Sequence, residues 1–131
     1  MLLAWAHQRS GNTAWIRGAI CAENTIDSVK KQTLKLFGEI LTQNNLCEND
    51  IEAVFFTVTK DIDVCYPAKF IREAYVNLAN VAFMCAQEMD VVGSLPKCIR
   101  ICVSTTSEFI QQNVKHCYLD GAEILRPDLR K

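Results

Sequence analysis

Only one stretch of this chain repeats its apolar residues with the period of a long helix. Val29, Thr33, Leu34, Phe37, Ile40 and Leu41 recur at three- and four-residue intervals, which lines them along one helix face while Lys30, Lys31, Lys35 and Glu39 point elsewhere. Thr25 or Asp27 is suited to cap its start, and Asn44 and Asn45 to release its end. The other apolar segments are short and mostly rich in β-branched and aromatic residues. One helix has one apolar stripe to offer, so it covers one face of the sheet that these segments imply. The expected class is α+β, a mixed β-sheet with one long helix and short helices.

Strands are expected over residues 14–20, 51–59, 81–86 and 98–105, with a short fifth over 122–125. The first is expected to break near Gly18, and the fourth has the strongest β character. Pro67 suits the opening of a short helix over 68–77. The turn-forming run Ser10, Gly11, Asn12 and Thr13 separates an N-terminal extension, residues 1–13, from a domain spanning 14–131.

A chain of 131 residues is room for one domain. Its 14 Lys and Arg against 15 Asp and Glu leave a net charge of −1, so no global field holds nucleic acid or an anionic membrane, and any anion must be bound by a local cluster. The 7 cysteines form no C-x-x-C pair and no zinc-finger spacing with histidine, which argues against a structural metal. Most sit in apolar runs where a reduced thiol behaves as a small hydrophobe, and that usage suits a reducing compartment. No run approaches the roughly 20 apolar residues of a membrane span. Residues 1–6 are too short a run for a signal-peptide core. These features predict a soluble cytoplasmic protein.

The fourth strand carries the first hint of chemistry. Alternation sends Ile99, Ile101 and Val103 to one face and Cys98, Arg100 and Cys102 to the other. A mid-strand guanidinium cannot shed its charge, so Arg100 needs water, a neighbouring Glu, or an anionic ligand in a cleft. Arg17 in the first strand, Arg126 beside the last, and Lys69 and Arg72 at the start of the short helix add cations whose convergence spacing alone does not decide. Glu88 leaves the third strand where a side chain either turns into a cleft or meets solvent. His116 and Cys117 make a poor catalytic pair, because strand neighbours face opposite ways. The 5 glycines are scattered and form no phosphate-cradling loop. Cations and one carboxylate without a nucleophile, metal or cofactor motif suit a reaction that needs only positioning and electrostatics.

Several segments together resemble the monofunctional, AroH-class chorismate mutases. They are Ile16-Arg17-Gly18-Ala19, Phe56-Thr57-Val58-Thr59-Lys60-Asp61, Tyr66-Pro67-Ala68-Lys69, Ile71-Arg72, Cys85-Ala86-Gln87-Glu88-Met89-Asp90, Gly93-Ser94-Leu95, Lys97-Cys98-Ile99-Arg100, His116-Cys117-Tyr118-Leu119 and Leu125-Arg126-Pro127-Asp128-Leu129. They occur in family order and cover residues 14–131. The resemblance implies a pseudo-α/β-barrel homotrimer with active sites between subunits, chorismate as substrate, prephenate as product, no cofactor and no metal.

The same resemblance implies roles. Arg100 faces the ether oxygen as its bond breaks, Arg17 binds a substrate carboxylate with Tyr118 beside it, and Glu88 accepts the ring hydroxyl near developing positive charge. Cys85 lines the pocket as a contact. Tyr66, Ala68, Met84 and Leu125 shape its wall, and Lys69, Arg72 and Arg126 stand near its mouth. The chain departs from the family pattern at Ile20-Cys21, commonly Thr-Thr, at Tyr66, more usually Phe, and at Met84, where smaller or polar residues also occur. Two other classes compete: a non-catalytic trimer binding a small anionic metabolite, which has no need of Arg17, Glu88, Arg100 and Tyr118 together, and an interaction protein, which depends on none of them.

Overall fold

The computed structural model describes residues 13–106 and 109–129. Most of the N-terminal extension, residues 1–12, therefore lies outside the described residues. The elements are β1 (Trp15–Cys21), α1 (Ile26–Gln43), β2 (Ile51–Val58), α2 (Pro67–Ala74), β3 (Ala82–Gln87), β4 (Cys98–Thr105) and β5 (Cys117–Leu119), with short 3-10 turns between them. The strands form one mixed sheet in the order β3-β2-β4-β1-β5. β2 runs parallel to β3 and β1 to β5, while β4 is antiparallel to both of its neighbours.

α1 forms where the three-and-four periodicity placed it. The Thr25 hydroxyl accepts the Ser28 N–H at 3.1 Å, satisfying one of the free donors of the first turn. Val29, Leu36, Phe37 and Ile40 are fully buried. They meet Ile16, Ile20, Val54, Phe56, Ile99, Ile101 and Val103 from the sheet, with Ala68, Phe70 and Ile71 of α2 completing the same core. Each fully buried side chain of this size contributes about 1.5–3 kcal/mol of transfer free energy. Two thiols are buried on opposite sides of the sheet, Cys117 in this core and Cys98 against Ala19 on the other face: burial pushes Cys98 up to about 12 and Cys117 up to about 11, so both are protonated packing groups.

Two strand expectations are corrected. β1 does not break at Gly18 but runs through it to Cys21. The glycine is there for close approach: a Cβ at that position would sit 2.6 Å from the Cys117 carbonyl oxygen and 3.1 Å from Leu36 Cδ1. The last strand is Cys117–Leu119, paired with Gly18, Ala19 and Ile20, and Ala122–Leu125 is a 3-10 turn. Asp120 at φ 45° and Gly121 at φ 97° reverse the chain between them. Lys35 and Gln32 of α1 fasten that bend through the Asp120 carboxylate, at 2.7 and 3.0 Å. The turn then drops Ala122 against Ala19 and Cys98, so its apolar residues pack over the end of the sheet rather than extend it.

The helices occupy one face of the sheet. The other carries Trp15 and Arg17 of β1, Arg100 and Cys102 of β4, Phe55 and Thr57 of β2, and Met84 and Ala86 of β3, as the registers require. Among the described residues the 3-10 turn and Leu95 of the loop before β4 cover it at its Cys21 and Cys98 end. Trp15 and Phe55 stack on this open face with ring centroids 5.9 Å apart.

Candidate active site

The sequence left three destinations for Arg100: water, a carboxylate, or a ligand. Its strand starts from a clipped corner. Lys97 adopts φ 49°, and its N–H is accepted by both oxygens of Asp61, at 3.1 and 3.0 Å. The Thr59 hydroxyl donates to Asp61 at 2.5 Å and accepts the Cys98 N–H at 2.9 Å. The Thr59 hydroxyl first, and the Lys97 N–H behind it, hold the Asp61 carboxyl below the usual carboxylate range. From that corner Arg100 is carried into the centre of the sheet, between Ala19 of β1 and Thr57 of β2.

Glu88 reaches the same place from β3. Its N–H donates to the Val58 carbonyl at 2.8 Å, so the residue continues the β2 edge one step past β3. The Thr57 hydroxyl donates to Glu88 Oε2 at 3.1 Å, and Arg100 Nε lies 3.7 Å from that same oxygen. The second distance is beyond hydrogen-bond reach, so Glu88 neutralises Arg100 electrostatically without consuming its donor fork. The Arg100 side chain keeps 43 % of its surface exposed. Arg100 thus faces both a Glu and an open surface.

Arg17 and Tyr118 stand on the same face. Tyr118 pairs with Ala19, which pairs with Arg100, so one row crosses the sheet from β5 to β4. Arg17 lies two residues along β1, opposite Cys102, in a second row that continues through Phe55 to Met84. The Arg17 N–H donates to His116 Nδ1 at 2.9 Å. Burial first, then the Arg17 and Arg126 cations, push His116 below the ordinary histidine range. Arg126 clamps Asp128 with two bonds, Nε to Oδ1 at 3.0 Å and Nη2 to Oδ2 at 2.7 Å, and this pairing holds the Asp128 carboxyl low. Leu125 packs half-buried against the cluster of Ala19, Cys98 and Ala122. A cleft of about 820 Å³ runs along the β5 edge, with His116, Tyr118, Glu123 and Arg126 on one wall and Glu39 of α1 on another.

The remaining candidates gather elsewhere. Cys85 pairs with Phe56 and therefore lies on the helix side of the sheet, half-buried. With Tyr66, Lys60 and Gln87 it lines a second cleft, of about 380 Å³. Tyr66 caps α2 and is exposed, whereas Ala68 two residues further on is buried in the core. Lys69 and Arg72 are exposed on α2, and Arg72 Cζ sits 6.0 Å from the centre of the Phe83 ring. The clefts belong to opposite edges of the sheet, β5 and β3, four strand spacings or roughly 19 Å apart. One chain therefore sets Arg17, Glu88, Arg100 and Tyr118 on the open face, with Leu125 and Arg126 beside them, and Met84 on the same face but at the β3 edge; it does not bring Tyr66, Ala68, Lys69, Arg72 or Cys85 to them.

Three residues to which sequence reasoning gave no role take part, His116 having been weighed there only as a partner for Cys117. Thr57 anchors Glu88, and His116 and the Gln111 amide bind the edge of β1. Thr57 had a signal: alternation sets it on the opposite face from Phe56 and Val58. For His116 and Gln111 there was none, since their partners are 99 and 96 residues away. Fixed cations, one carboxylate and one phenol on rigid strands equip this face to bind a small dianion and to stabilise negative charge that grows during a reaction.

Residues 14–129 match the family model described as chorismate mutase type I. The chain is 35% identical over 115 residues to Chorismate mutase AroH of Bacillus subtilis, covering 87% of this chain and 90% of that protein. It is 36% identical over 116 residues to Chorismate mutase AroH of Thermus thermophilus, covering 87% and 93% respectively. Among solved structures, a chorismate mutase from Clostridium thermocellum superposes with a TM-score of 0.79 at 40% sequence identity, over 84% of this chain and 97% of that one.

Proposed function

The chain belongs to the type I chorismate mutase family, and from that premise we propose how its open sheet face performs the reaction. The activity is the intramolecular rearrangement of chorismate to prephenate, in which an ether C–O bond breaks as a C–C bond forms. Such a reaction needs no nucleophile and no proton transfer. What it does need is a folded substrate conformer and a positive charge where the ether oxygen becomes negative.

Arg100 supplies that charge. The observation that carries the assignment is its station: a guanidinium on the central strand, 3.7 Å from a Glu88 oxygen that Thr57 already holds, with its fork not consumed by the pair. A cation fixed before the substrate arrives stabilises the transition state more than the ground state and spends nothing on reorganisation. Arg17 binds a substrate carboxylate with Tyr118 beside it, and Glu88 accepts the ring hydroxyl. A millionfold acceleration corresponds to about 8 kcal/mol. One preorganised contact to the oxyanion supplies about 3–4 kcal/mol of this, and restraining the flexible side arm of chorismate over its ring supplies the rest.

The division of the site residues between two sheet edges supports an assembly in which the β5 edge of one subunit meets the β3 edge of the next. Tyr66, Lys69, Arg72 and Cys85 then complete a cleft opened by Arg17, Arg100 and Tyr118. Two different edges in contact make a heterologous interface, which closes only as a ring. We take that ring to be a homotrimer, as the family resemblance implies. Exposed Trp15 and Met84 on the open face, at 41% and 60%, are the apolar surface such a ring buries. No helix among the described residues is long and apolar enough to cross a membrane. The 7 free cysteines suit the cytoplasm, where we place the enzyme.

The test is direct. Purified protein is incubated with chorismate, its ultraviolet absorbance is followed, and the product is identified. Prephenate formation that collapses in Arg100→Lys with no loss of fold is the expected result. Wild-type turnover by that variant would overturn the assignment of Arg100.

A further inference from the structure

β1 uses its two edges differently. The even-numbered residues from 14 to 22 turn their backbone groups toward β4, as in Ala22 N–H to the Lys97 carbonyl at 2.9 Å and Thr105 N–H to the Ala14 carbonyl at 2.9 Å. The odd-numbered residues face the other way. There β5 is only three residues long and pairs with Gly18, Ala19 and Ile20, stopping short of Arg17. Two side chains continue the edge where the strand ends. The Gln111 amide takes Trp15 as a paired strand would, its Oε1 accepting the N–H at 2.7 Å and its Nε2 donating to the carbonyl at 2.8 Å. Between Gln111 and β5, the Arg17 N–H is met by the His116 imidazole at 2.9 Å.

We propose that His116 is a positioning residue for Arg17: its Nδ1 accepts the Arg17 N–H and fixes the stretch of β1 from which that guanidinium is presented to substrate. The inference rests on the reading of Arg17 as the carboxylate-binding arginine. His116 itself touches no reacting atom. It lies one residue before the backbone pairing that β5 makes with β1, so the bond sets both the height of Arg17 on the sheet and the seat of Tyr118 two residues further on.

Accepting at Nδ1 requires the neutral tautomer protonated at Nε2. The surroundings favour that form. Arg17 faces the ring from β1 and Arg126 from the C-terminal segment, with Asp128 occupying the Arg126 fork. Lys115 adjoins the ring on its own segment, while Glu39 of α1 and Glu123 of the 3-10 turn line the same cleft. Burial and the two arginines prevail, and the ring titrates below the ordinary histidine value of about 6.5. Protonation would turn the acceptor into a donor facing a donor and break the bond.

The experiment compares wild type with His116→Asn, whose Oδ1 takes the place of Nδ1 as acceptor, and His116→Phe, which keeps a ring without one. In wild type, kcat/KM for chorismate should fall on an acid limb whose midpoint lies below about 6.5. His116→Asn should retain KM and lose that limb. His116→Phe should raise KM about tenfold with kcat little changed, the cost of leaving one N–H unpaired. An unaltered acid limb in His116→Asn overturns the proposal, as does an unchanged KM in a folded His116→Phe. The ring nitrogen chemical shifts of wild-type His116 give a readout independent of activity: an Nε2-protonated tautomer at neutral pH agrees, and an Nδ1-protonated one refutes it. Arg17→Ala separates the two levels of the argument, because a wild-type KM there removes the role of Arg17 and not the His116 bond.

Discussion

One oxygen of Glu88 serves two neighbours, taking the Thr57 hydroxyl at 3.1 Å and lying 3.7 Å from Arg100 Nε. The hydroxyl decides where the carboxylate sits, and the looser ionic contact leaves the guanidinium charged and open on its other sides. Five of the chemical choices in this enzyme follow from such arrangements, and each is open to measurement.

Arg100→Lys keeps the charge but not the planar fork, and a lysine ammonium on the same strand presents a point charge at a different distance. Loss of one aligned oxyanion contact costs about 100- to 1000-fold in kcat. Turnover measured by chorismate loss, with circular dichroism to verify the fold, should show a defect of that order.

Thr57→Val removes the hydroxyl while keeping the β-branched shape of the strand. Glu88 then loses its only side-chain hydrogen bond among the described residues. A net contribution of about 1 kcal/mol converts to roughly a fivefold loss of kcat/KM, well short of the loss in Glu88→Ala. Equal defects in the two variants would show that Thr57 does more than hold the carboxylate.

Chains carrying Arg17→Ala and chains carrying Lys69→Ala should each be impaired. If the two residues come from different subunits of the proposed ring, oligomers refolded from an equal mixture contain intact sites. Random mixing leaves about a quarter of the sites carrying both residues. Activity in the mixture no higher than in either parent would place both residues in one chain's own site and defeat the shared-cleft assembly.

Gly18→Ala should destabilise the fold by roughly 1–3 kcal/mol, because the new methyl group meets a backbone oxygen at 2.6 Å that no side-chain rotation relieves. The strand displaced is β5, so KM should rise together with the fall in Tm. Thermal unfolding and steady-state kinetics on the same preparation check both.

Acid should weaken the fold in two stages. Folded His116 binds its proton less readily than the unfolded chain, so between its folded pKa and about 6.5 the unfolded state carries more protons and stability falls as pH is lowered. Asp61, Asp120 and Asp128 are held low, so their contribution is complete above about 3.9 and is lost only as pH falls through their folded values. Tm should therefore decline from pH 7 to 5.5 more steeply in wild type than in His116→Asn. Parallel declines would remove His116 from the first stage.

The elements themselves were largely legible along the chain. Helical periodicity from Val29 to Leu41 located α1, β-branched runs located β2 and β4, and alternation alone put Arg100 on the face opposite Ile99 and Ile101. These are local properties, decided by side-chain spacing and backbone propensity over a few residues. Ala122–Leu125 misled because a short apolar run suits a strand or a turn equally, and the choice fell to Ala122 finding its pocket against Ala19 and Cys98. The short β5 was hidden for the complementary reason, since three residues carry too little pattern and owe their pairing to the hydrogen atom of Gly18. The sequence by itself determined which residue types are present and which face of each strand they occupy. Only the tertiary structure decided that Thr57 meets Glu88 across 31 residues and His116 meets Arg17 across 99, and that Cys85 and Tyr66 lie at the far edge from Tyr118. Those meetings depend on strand order and register, which are set by the packing of distant segments against one another and leave no trace in the spacing of neighbours.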